Sequence, residues 1–325
     1  MVFSMRSFFH GAADLLKAPE GLVPVRFTKA QMAYFEPLIY RFRSYNAAGI
    51  RLEFSTDSPF FRMAYHAEIK PNTTEKLLFD ICVDDVLVAS PGGTVTNQGS
   101  GEWTAELPIE PGRPRRVTVH LPYLAKIAIR DMQVAPGAAM EPVAAPSRAL
   151  LCLGDSITQG MNATRPSSTY AALLSRFLGM DLLNQAVSGY VFDAATIDAG
   201  LPRRPDLITV AYGTNDWVMR ENHRQFEAEA AAYLEKLTQA FPEAPIVAIT
   251  PICRLDVTGR QPAGTLDEIR RTIERLGDRH PTVRCVDGLS LVPHLPEFYA
   301  DGLHPNDEGF LHMALHLAKR IARFA

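Results

Sequence analysis

The sequence is poor in cysteine and tryptophan, with 4 and 2 in 325 residues. Cys82, Cys152, Cys253 and Cys285 each sit in an apolar, strand-like run. None belongs to a C-x-x-C pair with histidines nearby, which argues against a zinc site and for buried free thiols. No stretch approaches the roughly 20 apolar residues a membrane-crossing helix needs. The opening residues carry an early Arg6 but no long apolar core and no small-residue cleavage site. They do not read as a secretory signal, so the expectation is a soluble, cytoplasmic protein that makes no use of membrane. Neither sign of charge is in excess: Lys plus Arg is 33 and Asp plus Glu is 36, a net charge of -3. That balance excludes a dedicated nucleic-acid binder. With 47% hydrophobic and 21% charged residues, a disordered chain, a collagen and a coiled-coil rod are excluded too. The length suits two domains and buries enough surface to fold without disulfide or metal staples.

The texture changes near residue 135. Before it, short alternating runs at 50–55, 61–69, 77–89, 116–121 and 126–134 are parted by turn residues such as Pro71-Asn72, Asp84-Asp85, Pro91-Gly92-Gly93 and Pro111-Gly112. Such alternation predicts an antiparallel, all-β sandwich over residues 1–134. Asp84-Asp85 predicts a hairpin within it. Helical periodicity is scarce here, apart from a short helix near 29–34. Residues 135–147 are crowded with Pro and Ala. They read as a linker, because prolines so placed suit neither helix nor strand. From 148 to 325 strand and helix alternate, with strands at 149–153, 182–187, 206–212, 245–250 and 283–286 and helices at 168–178, 225–241, 266–276 and 306–324. That order predicts an α/β domain, a parallel sheet covered by helices on both faces.

In such a sheet, ligands bind outside the carboxyl ends of the strands. Gly154-Asp155-Ser156-Ile157-Thr158 follows the first apolar run, Ser188-Gly189-Tyr190 the second and Gly213-Thr214-Asn215-Asp216 the third. Asp301-Gly302-Leu303-His304-Pro305 precedes the last helix. A serine hydroxyl is a poor nucleophile until a base takes its proton, and imidazole titrates near neutrality. Ser156 and His304 suit those roles, and Asp301 could fix the tautomer of His304 and stabilise its imidazolium. Asp301 and His304 lie three apart, close enough to emerge from one turn. Pro305 favours an extended His304, and Asn306 or Asp307 can cap the helix that follows.

These segments resemble, in order, the sequence blocks of the SGNH (GDSL-type) serine hydrolase superfamily. The resemblance covers residues 148–325 and implies a flavodoxin-like three-layer α/β/α hydrolase domain. It also implies Ser156 as nucleophile, His304 as base and Asp301 as its partner. An oxyanion hole would come from the N–H groups of Ser156 and Gly189 and the side-chain amide of Asn215. The loss of one such donor typically costs about 3 kcal/mol of transition-state stabilisation. The Ser156 loop leads toward a helix, whose N-terminus would favour negative charge. The pattern is not the G-x-S-x-G elbow of α/β-hydrolases, since the nucleophile comes first in its domain. The first domain is similar to the jelly-roll domains ahead of such hydrolases in two-domain carbohydrate esterases. The implied activity is a serine esterase that removes a short acyl group, acetyl before others, from a carbohydrate or similar small molecule. No cofactor and no metal are implied. An acyltransferase using the same acyl-enzyme, or a lipase or thioesterase of the superfamily, is the alternative.

Plainer readings accompany each residue. Asp155-Ser156 alone is also a common strand-to-helix turn, and Asn215-Asp216 an ordinary loop. Asp155, Tyr190 and Trp217 are candidates for substrate contact, with core packing an equal reading for Trp217. Asn162 and Arg165 lie in a loop beside the candidate site, and loop polarity alone explains them. His312 and His316, four apart on the last helix, invite a metal but suggest no third ligand.

Overall fold

The computed structural model describes residues 5–256 and 259–323, so the expected helix end at Phe324 lies outside them. The chain forms two compact units. One holds the residues up to Phe27, Arg41–Pro146 and Arg165–Ser167; the other holds Thr28–Tyr40, Ser147–Thr164 and the chain from Ser168 onward.

In the first unit, strand Phe60–Glu68 shows why a sandwich forms. Burial alternates along it without a break, with Phe61, Met63, Tyr65 and Ala67 turned inward. Period-2 alternation commits one face of a strand to a core. Its sheet runs Gln98–Glu106, Phe60–Glu68, Lys126–Val134, Gly21–Val25, Asp14–Ala18, all antiparallel. A second sheet runs Phe9–His10, Arg51–Thr56, Arg115–His120, Asp80–Val83, Val86–Ala89. Phe54, Phe61, Phe79 and Trp103 fill one core cluster with the aliphatic residues of both sheets. Each such side chain contributes about 1.5–3 kcal/mol by leaving water. The expected hairpin is present: Asp84 and Asp85 both have positive φ, 44° and 67°, which a two-residue type I′ turn requires.

Three features depart from the sequence reading. Gln98–Glu106 and the hairpin Asp14–Val25 are strands that the pattern hides. In the former only Trp103 and Ala105 are buried, too little apolar content to register. The Pro/Ala stretch is not wholly unpaired, because Met140–Pro142 forms an edge strand on Arg51–Thr56. A proline is tolerated there because its missing N–H falls at an edge. Helix α1, Lys29–Phe35, belongs to the second unit although its sequence lies within the first. Thr28 and Gln31 form a capping box at its start. Gln31 is buried against Gln185, the two side-chain amides exchanging bonds of 2.9 and 3.0 Å. Buried amides need such partners, and this pair ties the helix to its unit.

The second unit is built on five parallel strands: β1, Ala149–Gly154; β2, Asp181–Asn184; β3, Leu207–Ala211; β4, Ile246–Ile249; and β5, Val283–Val286. Their order is β2-β1-β3-β4-β5, the flavodoxin-like arrangement. β1 and β4 are buried along their whole length, as strands covered on both faces must be. Because the order reverses between β1 and β3, right-handed crossovers send helices to opposite faces. Helix α2, Tyr170–Leu178, packs with α3, Asp307–Ile321; α4, His223–Ala240, packs with α5, Leu266–Gly277. The carboxyl ends of β1 and β3 therefore face the crevice where such sheets bind ligands.

Candidate active site

Ser156 follows β1 with only Asp155 between them, and it opens a single helical turn, Ser156–Gln159. Asp155 caps that turn by accepting from the Ile157 N–H at 3.0 Å. Gly154 is required for close approach: a Cβ there would lie 2.2 Å from Thr158 Oγ1 and 2.9 Å from the Ala211 carbonyl oxygen. Gly160, with φ 106°, ends the turn. So short a helix aligns few peptide dipoles. The support expected from a helix macrodipole at Ser156 is reduced to local N–H groups.

His304 Nε2 stands 2.9 Å from Ser156 Oγ, and its Nδ1 stands 2.8 Å from Asp301 Oδ2. Asp301 Oδ1 meanwhile accepts the backbone N–H groups of Leu303 and His304, at 3.0 and 2.8 Å. Partial burial would raise the Asp301 pKa, but these backbone bonds and His304 outweigh it and hold the carboxyl below its ordinary value. The loop is braced on the next helix, where Asn306 caps α3 through the Gly309 N–H at 3.0 Å. Serine, imidazole and carboxylate thus form one hydrogen-bonded line.

Gly189 lies in the loop after β2 at φ 76°, a left-handed conformation open to glycine at no steric cost. The preceding Ser188 N–H is held by the buried Gln159 side chain at 2.8 Å, which links this loop to the serine turn. Asn215 is the second residue of the short helix Thr214–Met219 after β3, and its side-chain amide donates to the Tyr190 carbonyl at 2.9 Å and to Asp155 Oδ2 at 3.4 Å. Ser156, Gly189 and Asn215 therefore gather at the ends of neighbouring strands.

The three candidates for substrate contact are placed differently. Asp155 is 2% exposed and occupied with capping. Burial, together with the nearby Asp216, pushes its pKa up to about 7. Tyr190 is 3% exposed, packs edge-on against Phe35 and Tyr40, and donates from its hydroxyl to Asp193 at 2.6 Å. Trp217 is 1% exposed, and its Nε1–H donates to the Gly264 carbonyl at 2.8 Å. All three support the site from behind; the polar tips of Tyr190 and Trp217 are satisfied internally, as buried aromatic tips usually are.

Some contributors escaped the sequence reading. Tyr40 donates to the Gly189 carbonyl at 3.2 Å, and Tyr34 shares Asp193 with Tyr190 at 2.6 Å. Arg254 lies 5.3 Å over the Trp217 ring, pairs with Asp256 and donates to Thr214. Nothing in local spacing announces any of them. Among the described residues no group of three or more His, Cys, Asp or Glu is placed to hold a metal. His312 packs edge-on against both Phe298 and His316, and His316 Nδ1 bonds the Leu291 carbonyl. None of the four cysteines forms a disulfide; Cys152 and Cys82 are buried and Cys253 and Cys285 partly so. No described helix is long and apolar enough to cross a membrane.

Residues 152–310 match the model of the GDSL-like Lipase/Acylhydrolase family. Among solved structures the chain is similar to a salicylyl-acyltransferase, SsfX3, from a tetracycline biosynthetic pathway. That match has 22% identity and a TM-score of 0.83, covering 97% of this chain and 94% of that one. It is also similar to a family two carbohydrate esterase from Clostridium thermocellum, with 14% identity, a TM-score of 0.71, and coverage of 97% of this chain and 98% of that chain. An acetyl xylan esterase from the rumen bacterium Butyrivibrio proteoclasticus matches at 15% identity and a TM-score of 0.63, over 86% of this chain and 90% of that one. No curated protein sequence matches the chain. These likenesses bear on the fold: a β-sandwich followed in sequence by a parallel-sheet α/β domain. Residues 152–310 are therefore a GDSL-like lipase/acylhydrolase domain.

Proposed function

We propose that the protein is a serine esterase that cleaves a short acyl group, acetyl before others, from an oxygen of a carbohydrate or similar small molecule. The observation that carries this reading is the unbroken line from Ser156 Oγ through His304 to Asp301. His304 Nε2 takes the hydroxyl proton as Ser156 attacks the ester carbonyl. Asp301 holds the Nδ1 proton and stabilises the imidazolium. The imidazolium then protonates the leaving alkoxide, and an acyl-Ser156 remains. His304 next takes a proton from water as the water attacks the acyl carbon; the tetrahedral intermediate then collapses, the imidazolium returns that proton to Ser156 Oγ, and the carboxylic acid leaves.

The tetrahedral oxyanion is received by the N–H groups of Ser156 and Gly189 and by the Asn215 amide. Asn215 already spends one N–H on the Tyr190 carbonyl at 2.9 Å, and its longer 3.4 Å contact to Asp155 is the one to be exchanged for the oxyanion. Donors fixed before the reaction need no reorganisation during it. The substrate class is supported by the similarity to carbohydrate esterases, one of them an acetyl xylan esterase.

An acyltransferase reading is favoured by one observation, the TM-score of 0.83 to a structure named as an acyltransferase. The chemistry differs only in whether water or an alcohol takes the acyl group from Ser156. Hydrolysis of p-nitrophenyl acetate and octanoate by the wild type and by Ser156→Ala tests the esterase. Acetate-selective turnover abolished by Ser156→Ala is expected, whereas equal rates in both proteins would overturn it. Adding a sugar alcohol as competing acceptor and separating the products decides between the two readings. Accumulation of acylated acceptor at the expense of free acetate would establish transfer.

A further inference from the structure

We propose that Asn162 is a positioning residue for Asp301, holding the carboxylate oxygen that faces His304. This rests on the catalytic reading of Ser156, His304 and Asp301 given above. Asn162 lies two residues beyond the serine turn, in the loop Gly160–Thr164. Its side-chain amide donates to Asp301 Oδ2 at 2.8 Å. That is the same oxygen that accepts from His304 Nδ1, at 2.8 Å. The other carboxylate oxygen is fully taken up by two backbone N–H groups of its own loop. Asn162 is therefore the one side chain besides His304, among the described residues, that donates to this carboxylate. It joins the carboxylate to the serine loop, across 139 residues of sequence.

The join is doubled. Two residues further on, Thr164 binds Asp307 in the first turn of α3, through its N–H at 2.7 Å and its hydroxyl. The serine loop and the acid–base loop are thus fastened at both ends, on the acid itself and on the helix that carries it. Such a clamp matters because Asp301 is substantially exposed, its side chain 45% accessible, whereas that of His304 is 13% accessible. Without Asn162, Oδ2 of this exposed carboxylate would be held by His304 alone and open to exchange with water; the Asn162 amide is a second anchor on that oxygen.

The backbone supports the same role. Asn162 has φ 70°, a left-handed conformation in which asparagine is enriched and most other side chains are strained. Asparagine there supplies both the backbone shape and a neutral donor. A neutral donor also leaves the net charge facing the imidazole at that of Asp301 alone. The other charged groups close to the pair are balanced or engaged. Asp256, which packs against Gly302, is paired with Arg254; Asp307 binds Thr164; and buried Asp155 is held by the Ile157 N–H.

Two substitutions keep the left-handed backbone and change only the donor. Asn162→Gly removes it. Asn162→Asp keeps the shape but sets a second carboxylate against Asp301. In Asn162→Gly, kcat is expected to fall roughly tenfold with KM unchanged, since misaiming a catalytic group can cost up to ~10²-fold. In Asn162→Asp, the added negative charge favours the imidazolium, so the acid limb of kcat/KM should move to higher pH by about 0.5–1 unit. Titration of active sites with a serine-directed phosphonate normalises both to correctly folded enzyme. A purely structural role would lower the titratable fraction and leave the acid limb in place, and that result overturns the inference. So would a wild-type kcat and pH profile in both variants. Ser156→Ala and His304→Ala run alongside. Their inactivity with unaltered Asn162 variants sinks this inference alone, whereas full activity in Ser156→Ala sinks the catalytic reading beneath it.

Discussion

The side chain of Asn215 donates to the carbonyl of Tyr190 at 2.9 Å. One bond therefore ties the short helix after β3 to the loop after β2, and it fixes the plane of an amide whose second N–H is free to change partner. The oxyanion role proposed for Asn215 depends on that fixed plane. Asn215→Ala should lower kcat by about 10²–10³-fold, as the loss of one oxyanion donor does elsewhere. KM should change little, because the donor acts mainly on the transition state. Steady-state kinetics on p-nitrophenyl acetate would show it, and a loss under threefold would remove Asn215 from the oxyanion hole.

Gly189 is held at φ 76°, with Tyr40 on its carbonyl. A Cβ in the left-handed region costs roughly 1–2 kcal/mol, and relaxing that strain would re-aim the N–H proposed for the oxyanion hole. Gly189→Ala should therefore lose stability by about that much and lose kcat as well. Thermal melting and kinetics on the same preparation test the pair of effects. Loss of stability with unchanged kcat would mean the Gly189 N–H does not serve the reaction.

Asp155 is the lever for pH. Its carboxyl ionises near the ordinary value of about 4 in the unfolded chain but only near 7 in the folded one, because burial disfavours the charge. Between those values the native state holds a proton that the unfolded state has lost, so stability falls as pH rises. Asp216, pushed up to about 6 by burial despite Arg220, acts in the same sense. Urea midpoints measured from pH 5 to pH 8 should decline, and Asp155→Asn should flatten that decline by about 2–4 kcal/mol in total. Parallel profiles for the two proteins would show that Asp155 is already ionised in the native state at pH 5.

Trp217 tests the inner wall. Replacement by Phe removes the bond to the Gly264 carbonyl and part of the platform under Arg254. An unsatisfied buried carbonyl costs about 1–3 kcal/mol, so the melting temperature should drop. A rise in KM without a change in melting temperature would instead place Trp217 against the substrate.

The residues proposed to carry the chemistry stand out in the sequence because their signals are local. GDSIT, GTND and DGLHP each follow or precede a strongly patterned element, and an apolar run such as Ala149–Leu153 can hardly be anything but a buried strand. What stayed hidden was joined across distance. Helix α1 was expected in the sandwich half, yet Gln31, Tyr34 and Tyr40 attach themselves to Gln185, Asp193 and Gly189. Strand Gln98–Glu106 is mostly polar and exists because Phe60–Glu68 offers it a ladder to pair with. Asp155, Tyr190 and Trp217 read as polar or aromatic residues beside a site, and only burial shows that they face away from solvent.

The sequence by itself determined the order of elements, the division into an all-β part and an α/β part, and the residue types available for acyl transfer, because periodicity, turn chemistry and strand-end motifs act over a few residues. Tertiary structure alone decided that Ser156 and His304, 148 residues apart, meet at 2.9 Å. It alone brought Asn162 onto Asp301 and turned Asp155 into a buried, proton-holding cap. Those outcomes depend on which surfaces lose their water together, and no local pattern encodes that.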